Sequence, residues 1–170
     1  MKYDKHTNKI QKMKKGFLAF GFLTVLTLLA FTTDEEKLQW QHWNDGFSKA
    51  KSENKIALID TYTDWCGWCK KMDRDTYAKK SIVDKINANF IPIKFNPELA
   101  GQYTVGDTSY DGRTLLAALN SGKSSGYPTT FFYLPKQNKM FQYPGYMNET
   151  QFGELLDKLA QAHNGTETEN

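Results

Sequence analysis

Apolar positions along the chain fall into short blocks whose spacing changes from helical to extended and back. Trp43, Phe47 and Ala50 recur at helical spacing and predict a helix opening the globular part within residues 37–53; Leu38 and Trp40 just before it are placed for a short edge strand. Residues 56–59 form a continuous apolar run, the pattern of a strand buried on both faces. Cys69, Met72 and Tyr77 begin a mixed helical segment beyond it. Ser81, with Asp84 three residues on, reads as the next helix start, and Ile82, Val83 and Ile86 supply its apolar side. Residues 90–95 are the following strand, which gives the β-α-β order a parallel pair requires. Pro92 inside that strand predicts an edge-like position or a local break in the ladder.

Between residues 97 and 125 the pattern is weaker. Gly101, Gly106, Asp107, Asp111 and Gly112 mark turns, and Leu115, Leu116 and Leu119 suggest a short helix ended by residues 120–122. The last third reads as a hairpin and a helix. Residues 129–134 and 140–143 are rich in β-formers and are joined by a connection long enough for an antiparallel turn. Asn148 with Gln151 resembles a capping box, and Phe152, Leu155, Leu156, Leu159 and Ala160 fall on one helical face. Asn164 and Gly165 predict the end of this helix, and residues 164–170 form a polar tail.

Six lysines within the first 15 residues precede the apolar run 16–31, whose polar side chains are Thr24 and Thr27. A one-signed charged segment followed by residues apolar on all faces predicts an export signal over residues 1–33. As a helix the 16-residue run would reach about 24 Å, short of a hydrocarbon core of about 30 Å yet long for the centre of a signal peptide. Two outcomes stay open: cleavage after Thr32, or retention as an N-terminal membrane anchor through residues 16–31. The leader also accounts for the basic pI. It holds six of the 22 Lys and Arg and one of the 19 Asp and Glu, leaving 16 basic and 18 acidic residues. No basic stripe with interleaved aromatics remains, which argues against nucleic acid as a partner.

The two cysteines, Cys66 and Cys69, sit three apart where the apolar run gives way to helical spacing. This places Cys66 at a helix N-terminus, where unpaired backbone N–H groups and the helix dipole stabilise the thiolate, the species that attacks disulfides. Cys69, one turn in, is placed to close a ring with it. Haem attachment needs His after the second cysteine, and Lys70 stands there. A structural zinc site would need further ligands, which the scattered His6, His42 and His163 do not promise. A structural disulfide and a redox-inert binding module remain as the non-enzymatic readings.

The stretch Asp60-Thr61-Tyr62-Thr63-Asp64-Trp65-Cys66-Gly67-Trp68-Cys69-Lys70 resembles the active site of the thioredoxin superfamily. Trp40 and Trp43, Glu53-Asn54-Lys55 and the extended motif through Met72 draw the resemblance toward exported thioredoxin-like proteins, including relatives of the C-terminal domain of transmembrane disulfide reductases. The resemblance spans about residues 40–162 and implies an α/β thioredoxin fold over residues 34–163, with a mixed central sheet and helices on both faces. It implies that Asp60 is the buried acid beneath the second cysteine, and that Lys94 is the lysine near it, the alternative being a solvated strand-end lysine. Gly126-Tyr127-Pro128-Thr129 corresponds to the cis-proline turn. On this resemblance Cys66 attacks and Cys69 resolves, with Asp60 as base and no metal or organic cofactor.

Tyr127 and Pro128 would then meet an extended substrate. Trp68 replaces the proline common between the cysteines; it reads either as an aromatic docking surface with Trp65 and Tyr127 or as ordinary packing. The segment 97–125 is longer than the family pattern and reads as a lid or docking loop, or as a longer surface connection. The implied partners are disulfide-containing client proteins and a membrane-bound electron donor; the implied location is periplasmic or otherwise extracytoplasmic. An oxidase or isomerase is the alternative direction.

A lysine-rich n-region favours a leader whose N-terminus stays inside, so the domain is expected on the far side of the membrane. A fusion of residues 1–40 to a reporter that works only after export is expected to be active. An inactive reporter retained in the cytosol contradicts the export assignment.

Overall fold

The computed structural model describes residues 37–121 and 125–165, all within one compact unit. The leader and the tail beyond Gly165 lie outside the described residues. The elements in order are α1 (Trp43–Ser52), β1 (Ile56–Thr61), α2 (Gly67–Met72), a π-helical turn (Asp73–Tyr77), α3 (Lys80–Asn89) and β2 (Phe90–Phe95). The short strands β3 (Tyr103–Val105) and β4 (Thr108–Tyr110) follow, then α4 (Gly112–Leu119), β5 (Thr129–Leu134), β6 (Lys139–Pro144) and α5 (Glu149–Gly165). The main sheet has the order β2-β1-β5-β6, with β1 parallel to β2 and antiparallel to β5, which is antiparallel to β6. This is the mixed α/β thioredoxin fold.

Alternation along β1 divides the core. Ile56 and Leu58 point to one face, where they meet Met72, Ile82, Ile86, Phe152 and Leu156 from the helices that follow them. Ala57 and Ile59 point to the other, against Trp43, Phe47 and Ala50 of α1 and Leu115 of α4. Every residue of β1 is buried, as a continuous apolar run requires of a strand covered on both faces. Asp60 lies on the first face and Thr61 on the second.

Pro92 sits on an edge strand. Its carbonyl accepts from Gln41 N at 2.8 Å, and Lys94 N donates to Gln41 O at 3.1 Å, so the outer side of β2 is capped by a one-residue bridge between Gln41 and Ile93. The missing N–H of Pro92 shares the outward side of its own carbonyl, where no ladder bond is lost. The short strand expected around Leu38 and Trp40 is reduced to this bridge at Gln41.

Three local expectations are corrected. α3 begins at Lys80, not at Ser81, because the Ser81 hydroxyl donates to Glu149 Oε1 on α5 and Lys80 pairs with Asp84 one turn on. The segment 97–125 contains a hairpin, β3–β4, turning at Gly106 with φ +59°, and Gly112 is the first residue of α4, whose N-cap Asp111 accepts from Thr114 N. The hairpin is fastened to α1: Trp43 Nε1 donates to Thr104 O, and the Asn44 side chain bonds both Gln102 O and Thr104 N. α5 runs through Asn164 and Gly165 instead of stopping before them. At its other end the capping box is reciprocal, Asn148 N to Gln151 Oε1 and Gln151 N to Asn148 Oδ1.

Among the described residues, no helix is long and apolar enough to cross a membrane.

Gly46 marks the closest approach of α1 to the sheet. A Cβ there would lie 2.5 Å from Ile93 Cγ1 and 2.8 Å from Gln41 Cβ, and Ile93 is fully buried and has no room to retreat. Gly46→Ala is expected to cost about 1–3 kcal/mol and to lower the melting temperature by about 3 °C or more, read by circular dichroism. An unchanged melting temperature would contradict this packing.

Candidate functional site: a disulfide and a buried acid

β1 delivers the chain to the N-terminus of α2, where Cys66 is the N-cap residue and its sulfur accepts from Cys69 N at 3.0 Å. Cys66 and Cys69 are joined as a disulfide. The N–H bond to Cys66 Sγ is the interaction expected to stabilise a thiolate at a helix N-terminus once the bond is reduced. In the closed disulfide Cys66 is 4% exposed against 3% for Cys69, while Trp65 and Trp68 face solvent. The difference between the sulfurs lies in the bond to Cys66, not in overall burial.

Asp60, at the C-terminal end of β1, is 1% exposed. Register puts it directly opposite Lys94 on β2, and Lys94 Nζ donates to Asp60 Oδ2 at 2.5 Å. The other oxygen, Asp60 Oδ1, is buried with no hydrogen-bond partner, as are Thr61 Oγ1 and Thr63 Oγ1. Burial pushes the Asp60 carboxyl above its ordinary 3.8, against the lowering influence of Lys94. For Lys94 burial acts downward, but Asp60 and Asp73 outweigh it and hold the ammonium above its usual value.

Lys94 is therefore no solvated strand-end lysine. It also donates to Asp73, the first residue of the π-helical turn, and lies over the rings of Trp40, Tyr62 and Tyr77 at 4.6, 5.0 and 5.5 Å. Asp73 was not singled out from sequence. Its spacing of four from Cys69 puts it one turn further along the helical segment, a signal that acquires meaning only once β2 is known to lie beside that turn. Tyr77, fully buried, bonds Thr130 and has its phenol held well above the ordinary value by burial and by Asp60.

The aromatic residues form two separate pairs. Trp65 meets Tyr127 edge to face at 5.7 Å, and the Tyr127–Pro128 peptide bond is cis. Trp68 does not join them; its partner is Tyr146 at 5.5 Å, in the loop after β6. Trp68 is 59% exposed and Trp65 67%, so neither is core packing. Gly145, with φ +92°, turns this loop and donates its N–H to Pro128 O at 2.8 Å, tying it to the proline turn. Tyr146 had no sequence signal beyond its aromatic type. His42 is exposed as the N-cap of α1, and no group of His, Cys, Asp or Glu among the described residues is gathered to hold a metal ion.

A disulfide-bonded cysteine pair three residues apart at a helix N-terminus is the arrangement that thiol–disulfide exchange uses. The solution structure of a thioredoxin from Thermus thermophilus superposes with a TM-score of 0.59 at 15% identity, covering 76% of this chain and 92% of that one. A structure titled DsbH Oxidoreductase superposes with a TM-score of 0.54 at 17% identity, covering 80% and 92%. By sequence, the thiol:disulfide interchange protein DsbD of Tatumella citrea is 28% identical over 112 residues, 65% of this chain. The chain spans only 8 to 17% of the length of the curated relatives it matches. The family model Thioredox_DsbH, described as "Protein of unknown function, DUF255", matches residues 28–169. The chain thus belongs to this thioredoxin-like DsbH family.

Proposed function

We propose that this protein is a thiol–disulfide oxidoreductase that reduces disulfides in exported client proteins, delivered by a leader within residues 1–33 and acting through the domain of residues 34–163. The observation that carries the reading is the Cys66–Cys69 disulfide at the N-terminus of α2, with a buried carboxyl, Asp60, near the end of the strand that leads into it. In the reduced protein the Cys66 thiolate attacks one sulfur of a client disulfide; the other client sulfur leaves as a thiolate and takes a proton from solvent. Asp60 accepts the Cys69 proton, and the Cys69 thiolate attacks Cys66 Sγ, expelling the second client sulfur. Two electrons pass to the client, and the protein is left as the disulfide. A membrane-bound dithiol donor then returns it to the reduced form, and no metal or organic cofactor enters the cycle.

Its raised pKa suits Asp60 to this task, since a carboxylate with a higher pKa is a better base toward a thiol. Tyr127 and Pro128 supply the backbone edge for an extended client. The alternative direction is an oxidase or isomerase: Trp68 stands where thioredoxins carry proline, at a position that tunes thiolate stability and hence redox poise.

Asp60→Asn is expected to slow resolution of the mixed disulfide by about a hundredfold or more near neutral pH, and to affect the first attack less. Stability carries a second signature. Because the folded-state pKa of Asp60 is raised, its contribution is fully present below pH 3.8 and is lost as pH rises through the folded value. Relative to wild type, Asp60→Asn should therefore gain stability as pH rises from 3.8 into the neutral range, measured by urea denaturation. A difference that is flat with pH, with equal resolution rates, makes Asp60 structural only.

The assignment of the sulfurs is tested by trapping. Cys69→Ala is expected to accumulate mixed disulfides with oxidised client proteins on non-reducing electrophoresis, and Cys66→Ala few or none. Adducts on neither variant, with a large stability loss in both, would make the disulfide a staple; adducts mainly through Cys69 would reverse the roles.

A further inference from the structure

The longer segment that begins at Pro97 reaches the redox site through one side chain. Glu98 Oε2 accepts from Trp65 Nε1 at 3.0 Å, across 33 residues of sequence. Trp65 precedes the attacking cysteine and packs on Tyr127, which precedes the cis-proline, so Glu98 stands behind both residues that border the disulfide on that side.

Its position is determined from the backbone outward. Glu98 N donates to Asn96 Oδ1 at 3.0 Å, Asn96 itself is 4% exposed, and Leu99 N closes the turn on Asn96 O. Behind the turn, Gly112 lies so close to the Pro97 carbonyl that a Cβ would overlap it. The turn is thus wedged between the end of β2 and the start of α4.

Two further facts bear on its charge. Glu98 is exposed and makes no ion pair among the described residues; Arg113, whose charge also reaches Tyr127, does not pair with it. The indole N–H occupies a single carboxylate oxygen. By the Trp68–Tyr146 pair, Lys71 lies over the Tyr146 ring, and Asp75 is shared between Lys71 and Arg74, so one carboxylate faces two cations. The surroundings of the two tryptophans therefore differ: Trp65 is held by an anion outside any ion pair among the described residues, and Trp68 lies by a cluster of net positive charge.

We infer that Glu98 is a specificity-determining residue, which orients Trp65 through its hydrogen bond and selects clients with a basic side chain next to the cysteine under attack. This deepens the oxidoreductase reading and rests on it. Two roles are separable by chemistry. Gln keeps an acceptor for the indole and loses the charge; Ala loses both; Lys reverses the charge.

The full chain, reduced with dithiothreitol and desalted, is mixed with two synthetic peptides. Each carries one cysteine as a mixed disulfide with thionitrobenzoate, and they differ only in Lys or Glu beside it. The enzyme dithiol becomes the disulfide, the peptide is released as its thiol, and thionitrobenzoate leaves as a coloured thiolate. Each protein molecule reacts once, so the readout is the second-order rate constant of thionitrobenzoate release. Wild type is expected to favour the Lys peptide in this constant by about two- to fivefold at low salt, the scale of an exposed ion pair, with the preference fading as salt is added. Glu98→Gln should bring the ratio to about one, and Glu98→Lys should invert it. Glu98→Ala should in addition lower the rate constant for both peptides, because Trp65 loses its tether. A wild-type ratio of one, or a ratio untouched by Glu98→Lys, overturns the inference alone. Release from neither peptide by wild type overturns the oxidoreductase reading and this inference with it.

Discussion

The ion pair between Asp60 and Lys94 is the constraint around which the active end of this fold is arranged. The two residues are register partners on the parallel strands β1 and β2, so the pair forms only if those strands align as they do. Its energy is the reverse of a free gain. Withdrawing a carboxylate and an ammonium from water costs several kcal/mol for each ion, and their attraction recovers this only with good geometry and further partners. The further partners are present: Asp73 shares the ammonium, and Trp40, Tyr62 and Tyr77 place ring faces around it. Asp60 is the less satisfied member, with one oxygen unbonded and its proton affinity raised. A buried carboxyl in this condition has the raised proton affinity that the proposed role of Asp60 as base calls for.

Around that core the disulfide itself is buried, and it is the side chains beside it that face solvent. Both flanking tryptophans project into solvent, each steadied by a tyrosine from a different loop. Large exposed aromatics are costly to leave in water and supply contact area with few rotatable bonds, which is the profile of a surface that meets another chain. Backbone bonds fasten the segments that bear them to the folded frame: Gly145 N to Pro128 O joins the two segments that bear the tyrosines, and Tyr62 N to Phe95 O ties the segment before Trp65 to the end of β2.

Much of this was legible because local signals and tertiary packing agree. The run Ile56–Leu58 and the capping box at Asn148 each specify one answer, and Cys66 stands at the N-cap where strand and helix patterns meet. Other features were not legible because their partners are distant in sequence. Ser81 has the local chemistry of a cap, but its hydroxyl is drawn to Glu149, 68 residues on. The strands β3 and β4 are three residues each among turn formers and hold their place through Trp43 and Asn44 of α1. Asp73 and Tyr146 become site residues only through the packing of a π-helical turn on β2 and a glycine-turned loop on Trp68. Trp68 was grouped with the wrong aromatic pair for the same reason.

The central claim, that the Cys66–Cys69 disulfide is a working redox couple and not a staple, is tested most directly by its reduction potential. The measurement is equilibration of the protein in glutathione and dithiothreitol buffers, followed by alkylation and quantitation of the two thiols. A potential near that of thioredoxin, about −270 mV, is the result expected of a reductase; a value of about −120 to −180 mV would move the protein to oxidation or isomerisation. A disulfide that stays closed in buffers more reducing than about −300 mV behaves as a structural bond and would contradict the account.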